Sequence, residues 1–140
     1  MEELNFSKGS VSKYDDSVVL IEFKKNVVVE PQDLKEQENL VEALIGYTKY
    51  YAISILPSNF RKFSMEAKDF VIDNNHLLKQ RVLDCYIAQS LTQRIELELF
   101  FQLYRPHRKT KIFSSLNKAL TWINNYKKLE DCKKEVTMLV

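Results

Sequence analysis

Glycine is almost missing from this sequence. Gly9 and Gly46 are the only two among 140 residues, and positions so far apart cannot form a glycine-rich phosphate-binding loop. Cysteine is as scarce: Cys85 and Cys132 are too few for a disulfide framework and lack paired metal-ligand spacing, so a reducing, cytoplasmic setting is expected. His76 and His107 stand apart from any Cys, Asp or Glu at zinc-ligand spacing, and no metal or other cofactor is expected. No stretch approaches the about 18 consecutive apolar residues of a membrane span, and the first six residues carry acids instead of an apolar leader. An excess of one charge is missing too. With 21 Lys and Arg against 19 Asp and Glu the net charge is +2, so no overall field draws the chain towards nucleic acid or an anionic membrane.

What is present is the balance of a soluble globular chain: 45% hydrophobic and 29% charged residues, in a length that suits one core. A single domain over residues 1–128 is expected, followed by a charged tail, 129–140, that is either disordered or an added helix. Gly and Pro serve as punctuation. Ser10 to Tyr14 and Ser17 to Phe23, separated by Asp15 and Asp16, read as an opening hairpin, with a third extended piece at Val27 to Val29. Pro31 suits a first helical turn, and Leu34, Val41, Leu44 and Ile45 share a helical face until Gly46. Tyr50 to Leu56 reads as a buried strand closed by Pro57, and Ser64 as the cap of a second helix reaching about Leu78, with Ala67, Phe70, Val71 and Asn74 on one face. Val82 to Ala88 reads as another buried strand, with Thr92 capping a third helix, Gln93 to Tyr104. Pro106 ends that helix, Thr110 to Phe113 is extended, and Ser114 or Ser115 caps a last helix ending near Lys127 and Lys128. Such alternation predicts an α/β fold: a mixed sheet with an N-terminal hairpin, parallel crossovers and about four helices.

Helix three carries the strongest functional signal. Ile95, Leu97, Leu99, Phe100, Phe101, Leu103 and Tyr104 cover an apolar arc of about 240° on the helical wheel, against the about 100° that packing on one sheet face requires. The helix is either wedged between sheet and neighbouring helices or exposes a strip, around Leu97, Phe100, Phe101 and Tyr104, that a second subunit, a protein partner or a lipid covers. The other constellations read blandly. Arg105 to Lys111 is a basic but solvated turn, Lys79 to Arg81 a polar turn, and Cys85 a small buried hydrophobe. Trp122 and Tyr126 pack on the sheet, and the carboxylate pairs Glu38/Glu42 and Asp69/Asp73 face solvent.

Three segments resemble the SpoIIAA-like group, relatives of the STAS domain of bacterial anti-sigma-factor antagonists. The first is Tyr51-Ala52-Ile53-Ser54-Ile55-Leu56 with Asn59, Phe60 and Ser64-Met65-Glu66-Ala67. The second is Val82 to Ala88 leading to Thr92, and the third Thr110-Lys111-Ile112-Phe113-Ser114 with Ala119-Leu120-Thr121-Trp122-Ile123. Together they span roughly residues 10–127. The resemblance implies a non-catalytic regulatory module acting through protein contacts in a bacterial cytoplasm. It also implies a regulatory position at Ser64 and Glu66, where the antagonists carry a phosphorylatable serine in an Asp-Ser-Ser-Gly-like run. Here Glu66 replaces the acceptor, and Ser64, the nearest hydroxyl, suits an N-cap. The leading expectation is therefore a homodimer or partner-binding module using helix three. The alternative is a carrier or sensor of a small hydrophobic, lipid-like ligand held between helices two and three.

Overall fold

In the computed structural model of the chain, residues 2–73, 77–106 and 108–139 are described. The elements are β1 (Glu3–Phe6), β2 (Gly9–Lys13), β3 (Val18–Phe23), β4 (Val28–Val29), α1 (Pro31–Ile45), β5 (Tyr50–Leu56), β6 (Lys62–Phe63), α2 (Met65–Asp73), β7 (Arg81–Ala88), α3 (Leu91–Leu103), β8 (Lys109–Phe113) and α4 (Leu116–Leu139). Six strands form one mixed sheet in the order β1-β2-β3-β5-β7-β8, while β4 and β6 pair separately. The first three strands are antiparallel and the rest run parallel. The expected α/β fold with its N-terminal hairpin and four helices is the one observed.

Period-two alternation sorts the strand residues onto two faces. Ile21, Ser54, Tyr86 and Ile112 lie in one row across the sheet, and Val19, Ala52, Asp84 and Thr110 in the next. This face is covered by α1, α2 and α3, which contribute Leu34, Val41, Ala67, Phe70, Val71 and Leu97 to its core. The opposite row, Leu20, Ile53, Cys85 and Lys111, lies under α4, whose Ala119 and Ile123 are fully buried against Ile53, Leu83 and Ile87. Trp122 packs on Phe113 with ring centres 5.5 Å apart.

Local chemistry explains most boundaries. Asp15 Oδ1 accepts from the N–H groups of Ser17 and Val18, both at 2.9 Å, and so closes the β2–β3 turn. Burial would raise the Asp15 carboxyl, but these bonds and the Lys127 ammonium outweigh it and hold the carboxyl below its usual value. Pro31 opens α1, and Gly46 closes it with φ +70° and an N–H donated to Glu42 O at 2.8 Å. Ser115 caps α4, its Oγ accepting from Lys118 N–H at 3.3 Å.

Four expectations are corrected. The strands β1 and β6 were not anticipated; β1 is a short edge strand of four residues, two of them polar, and β6 is only two residues long. The third helix starts at Leu91 and is capped by Ser90, not Thr92, because Ser90 Oγ is the group that reaches the Gln93 N–H, at 3.1 Å. The second helix is assigned only to Asp73, and residues 77–80 form a turn; Asn74, expected on its face, lies outside the described residues, as do His76 and His107. The last helix does not stop at Lys127 and Lys128. It continues to Leu139 through a stretch of Leu, Glu and Lys without Gly or Pro, so the tail as far as Leu139 is helical in continuation of α4, and residues 131–136 are exposed.

Candidate functional site

The segment from β6 into α2 carries Ser64 and Glu66. Ser64 is buried, and its backbone N–H donates to Val29 O at 3.0 Å, which joins it to β4. Its Oγ accepts from Ala67 N–H at 3.0 Å and its carbonyl from Lys68 N–H, so it is the N-cap of α2. Glu66 is exposed in the first helical turn, where its charge is favourable with the helix dipole.

On α3 the inward and outward faces differ from the sequence expectation. Leu97 is a core residue, and Phe101 leans on Tyr86 with ring centres 5.3 Å apart. Phe100 is half-buried between Lys68, whose ammonium lies 5.1 Å from the ring centre, and Tyr104 at 5.2 Å. Of the expected strip, only Tyr104 is open to solvent. The exposed strip instead consists of Leu91, Ile95, Leu99 and Leu103, which are 68%, 47%, 55% and 76% accessible. Their spacing of four places them along one side of the helix. The helix is turned this way because Gln93 faces inward: its Nε2 donates to Pro57 O at 2.9 Å and Phe60 O at 3.3 Å, fastening the β5–β6 loop.

The groove between α2 and α3 contains clefts of about 40 and 20 Å³, lined in part by Phe63, Lys68, Leu97 and Phe100. Pockets for hydrophobic ligands usually measure about 300–1,000 Å³. An open, shallow cleft of about 470 Å³ lies between α3 and β8, lined by Glu98, Phe101, Gln102, Arg105, Arg108 and Ile112 among others. Three cations of the adjoining segment are engaged separately. Arg108 turns inward to Asp84, while the ammonium groups of Lys109 and Lys111 lie over Tyr126 and over Phe113 and Trp122. The expected solvated basic turn is thus corrected at Arg108, whose side chain is buried.

A buried charge network was missed. Arg81, expected in a polar turn, is the first residue of β7, and Glu38, expected in solvent, is buried on α1. The Arg81 guanidinium donates to Glu38 Oε1, to Asp84 Oδ2 at 3.1 Å and to the Tyr50 hydroxyl at 3.1 Å. Tyr50 donates in turn to Glu38 Oε2 at 2.6 Å, and Arg108 Nε to Asp84 Oδ2 at 3.2 Å. Asp84 Oδ1 has no hydrogen-bond partner among the described residues. Burial pulls against the Arg81 proton, but Glu38, Tyr50 and Asp84 outweigh it and hold the guanidinium charged. Burial, with Glu38, pushes the Tyr50 phenol well above its usual range, and burial, with Asp84, does the same to Tyr86. Two cations and two carboxylates therefore balance inside the protein, tying α1, β5, β7 and the segment before β8 together. A phenol so raised is no base at neutral pH. Only the order Arg-x-x-Asp within β7 is local in sequence; the rest is assembled by the fold.

The cysteines contrast. Cys85 is buried on β7, where burial and Asp84 push its thiol up, and Cys132 is exposed on α4. A disulfide-exchange reagent at pH 8 is expected to titrate one thiol rapidly in the native protein and two in denaturant. Two fast native thiols would show that β7 opens. Among the described residues, no cluster of three His, Cys, Asp or Glu side chains could hold a metal, and no helix is long and apolar enough to cross a membrane.

A family model described as a domain of unknown function, DUF7793, matches residues 12–127. Among solved structures, the chain is similar to a protein from the DUF3478 family of Shewanella loihica PV-4, described as having a SpoIIAA-like fold. The TM-score is 0.53 at 14% identity, over 80% of this chain and 89% of that one. No curated protein matches. The likeness shows a SpoIIAA-like fold.

Proposed function

The chain belongs to the DUF7793 family, and from its geometry we propose that it is a non-catalytic protein-interaction module that works as a homodimer through the outer face of α3. The supporting observation is the row Leu91, Ile95, Leu99 and Leu103, four large side chains left in water on one side of a helix whose other side is in the core. Scattered exposed apolar residues are ordinary, but a contiguous row costs solvation free energy unless something covers it. The SpoIIAA-like fold agrees with a regulatory role of the kind the STAS relatives have. The small volume of the α2–α3 clefts favours a protein over a hydrophobic ligand as the occupant.

Light scattering tests this. Wild type is expected at twice the 16.6 kDa of one chain, and Leu99→Asp as a monomer with unchanged circular dichroism. Leu99 is the position to change, because a charge at Phe101 would also break its packing on Tyr86. A wild type that stays monomeric at high micromolar concentration would overturn the homodimer.

A further inference from the structure

We propose that the outer edge of β8, together with the groove between β8 and α3, takes an extended segment of a partner protein as an added strand, one that alternates apolar with acidic side chains. The main sheet ends at β8, which pairs with β7 on one side only. Alternate residues of such a strand turn their N–H and C=O away from the neighbour, and among the described residues no backbone group outside β7 bonds to residues 109–113. An open edge of this kind recruits a strand through main-chain hydrogen bonds, and side-chain pockets beside it select the sequence.

The two faces of β8 set the alternation. Thr110 and Ile112 lie on the face that α3 covers, where the open cleft of about 470 Å³ has Phe101 and Ile112 in its wall and Gln102 and Arg105 along α3. An added strand turns every second side chain into that cleft, and apolar ones would bury there against Phe101 and Ile112, which are both only partly covered. The remaining side chains fall on the α4 face, beside Lys109 and Lys111. The ammonium groups of these lysines rest over the rings of Tyr126 and Trp122, and among the described residues neither has a carboxylate within ion-pair distance; exposed Arg105 has none either. Against these cations the cleft holds the acid Glu98, and the balance favours acids in the partner. A second copy of the chain fits worse, because two β8 strands set antiparallel across a two-fold axis bring lysines beside lysines. The row Leu91, Ile95, Leu99 and Leu103 does not line the groove, so this contact goes beyond the α3 dimer and does not depend on it.

Fluorescence anisotropy decides it, with a labelled, N-acetylated peptide alternating glutamate with valine as the probe. Binding is expected at about 10–100 µM, and at least about tenfold weaker for the peptide alternating lysine with valine. N-methylation of one alternate set of the peptide's amides should abolish binding, and of the other set change it less than about threefold, since an added strand is hydrogen-bonded along one edge. Lys109→Glu/Lys111→Glu is expected to reverse the preference between the two peptides, which a misfolded protein cannot do, and Arg105→Glu to weaken the acidic peptide about threefold. Leu99→Asp should bind as wild type does, which separates this result from the fate of the α3 dimer. No saturable binding of the acidic peptide, or equal effects of the two methylations, overturns the added strand. Self-association of Leu99→Asp that Lys109→Glu/Lys111→Glu abolishes would give the edge to a second copy and overturn the separate partner.

Discussion

Arg81→Met is expected to lower the unfolding free energy by about 3–5 kcal/mol, because it strips the counter-charge from two carboxylates that stay buried. Glu38 loses its guanidinium partner, Asp84 keeps only Arg108 and the long bond from Tyr86, and the Tyr50 hydroxyl loses a donor. Methionine fills most of the volume, so the loss reports the unpaired charges more than a cavity. For 140 residues this corresponds to a Tm lower by about 10–17 °C. A comparison of urea midpoints of the variant and the wild type at pH 7.5 measures it. Arg81→Lys should rescue little, because one ammonium cannot serve a carboxylate on α1, another on β7 and a phenol at once. A loss below about 1 kcal/mol at neutral pH would mean that the network contributes nothing beyond the packing of its carbon atoms.

Gly9→Ala has the second large effect. A Cβ at Gly9 would stand 2.1 Å from the carbonyl oxygen of Glu22 and 3.1 Å from the Phe23 Cα. Both are backbone atoms of β3, and Gly9 pairs with Phe23 in the register, so no side chain can swing away and β2 must separate from β3. The cost is expected at about 3 kcal/mol or more, read as a lower urea midpoint together with faster amide exchange in β1 and β2. Gly46 offers the contrast. Space there is open, and glycine is needed only for its backbone angles, so Gly46→Ala should cost about 1–3 kcal/mol with no change of register. Equal effects at the two positions would mean that the sheet adjusts at Gly9.

The sequence made legible what is local. Pro31 and Gly46 bracket α1, and the runs Tyr50 to Leu56 and Val82 to Ala88 are β5 and most of β7. The charge network was invisible because its partners are far apart: Glu38 and Arg81 are 43 residues distant, and each alone resembles an ordinary surface charge. The strip on α3 failed for another reason. A helical wheel gives angles between residues but not the direction of the core, and its usual guide, that polar residues face water, is reversed at Gln93, which turns inward to fasten loop carbonyls. With that anchor known, Leu97 and Phe101 fall inside and Leu91, Ile95, Leu99 and Leu103 outside.

The strand order β1-β2-β3-β5-β7-β8 has a consequence for synthesis on the ribosome. Every strand of the main sheet is laid beside one already made, so the growing polypeptide never waits for a later segment before its newest strand can pair. The sheet extends at one edge only, and until residues 109–113 emerge that edge is β7, apolar apart from Arg81 and Asp84 and open to pairing with another nascent chain. Lys109 and Lys111 arrive on the strand that closes it.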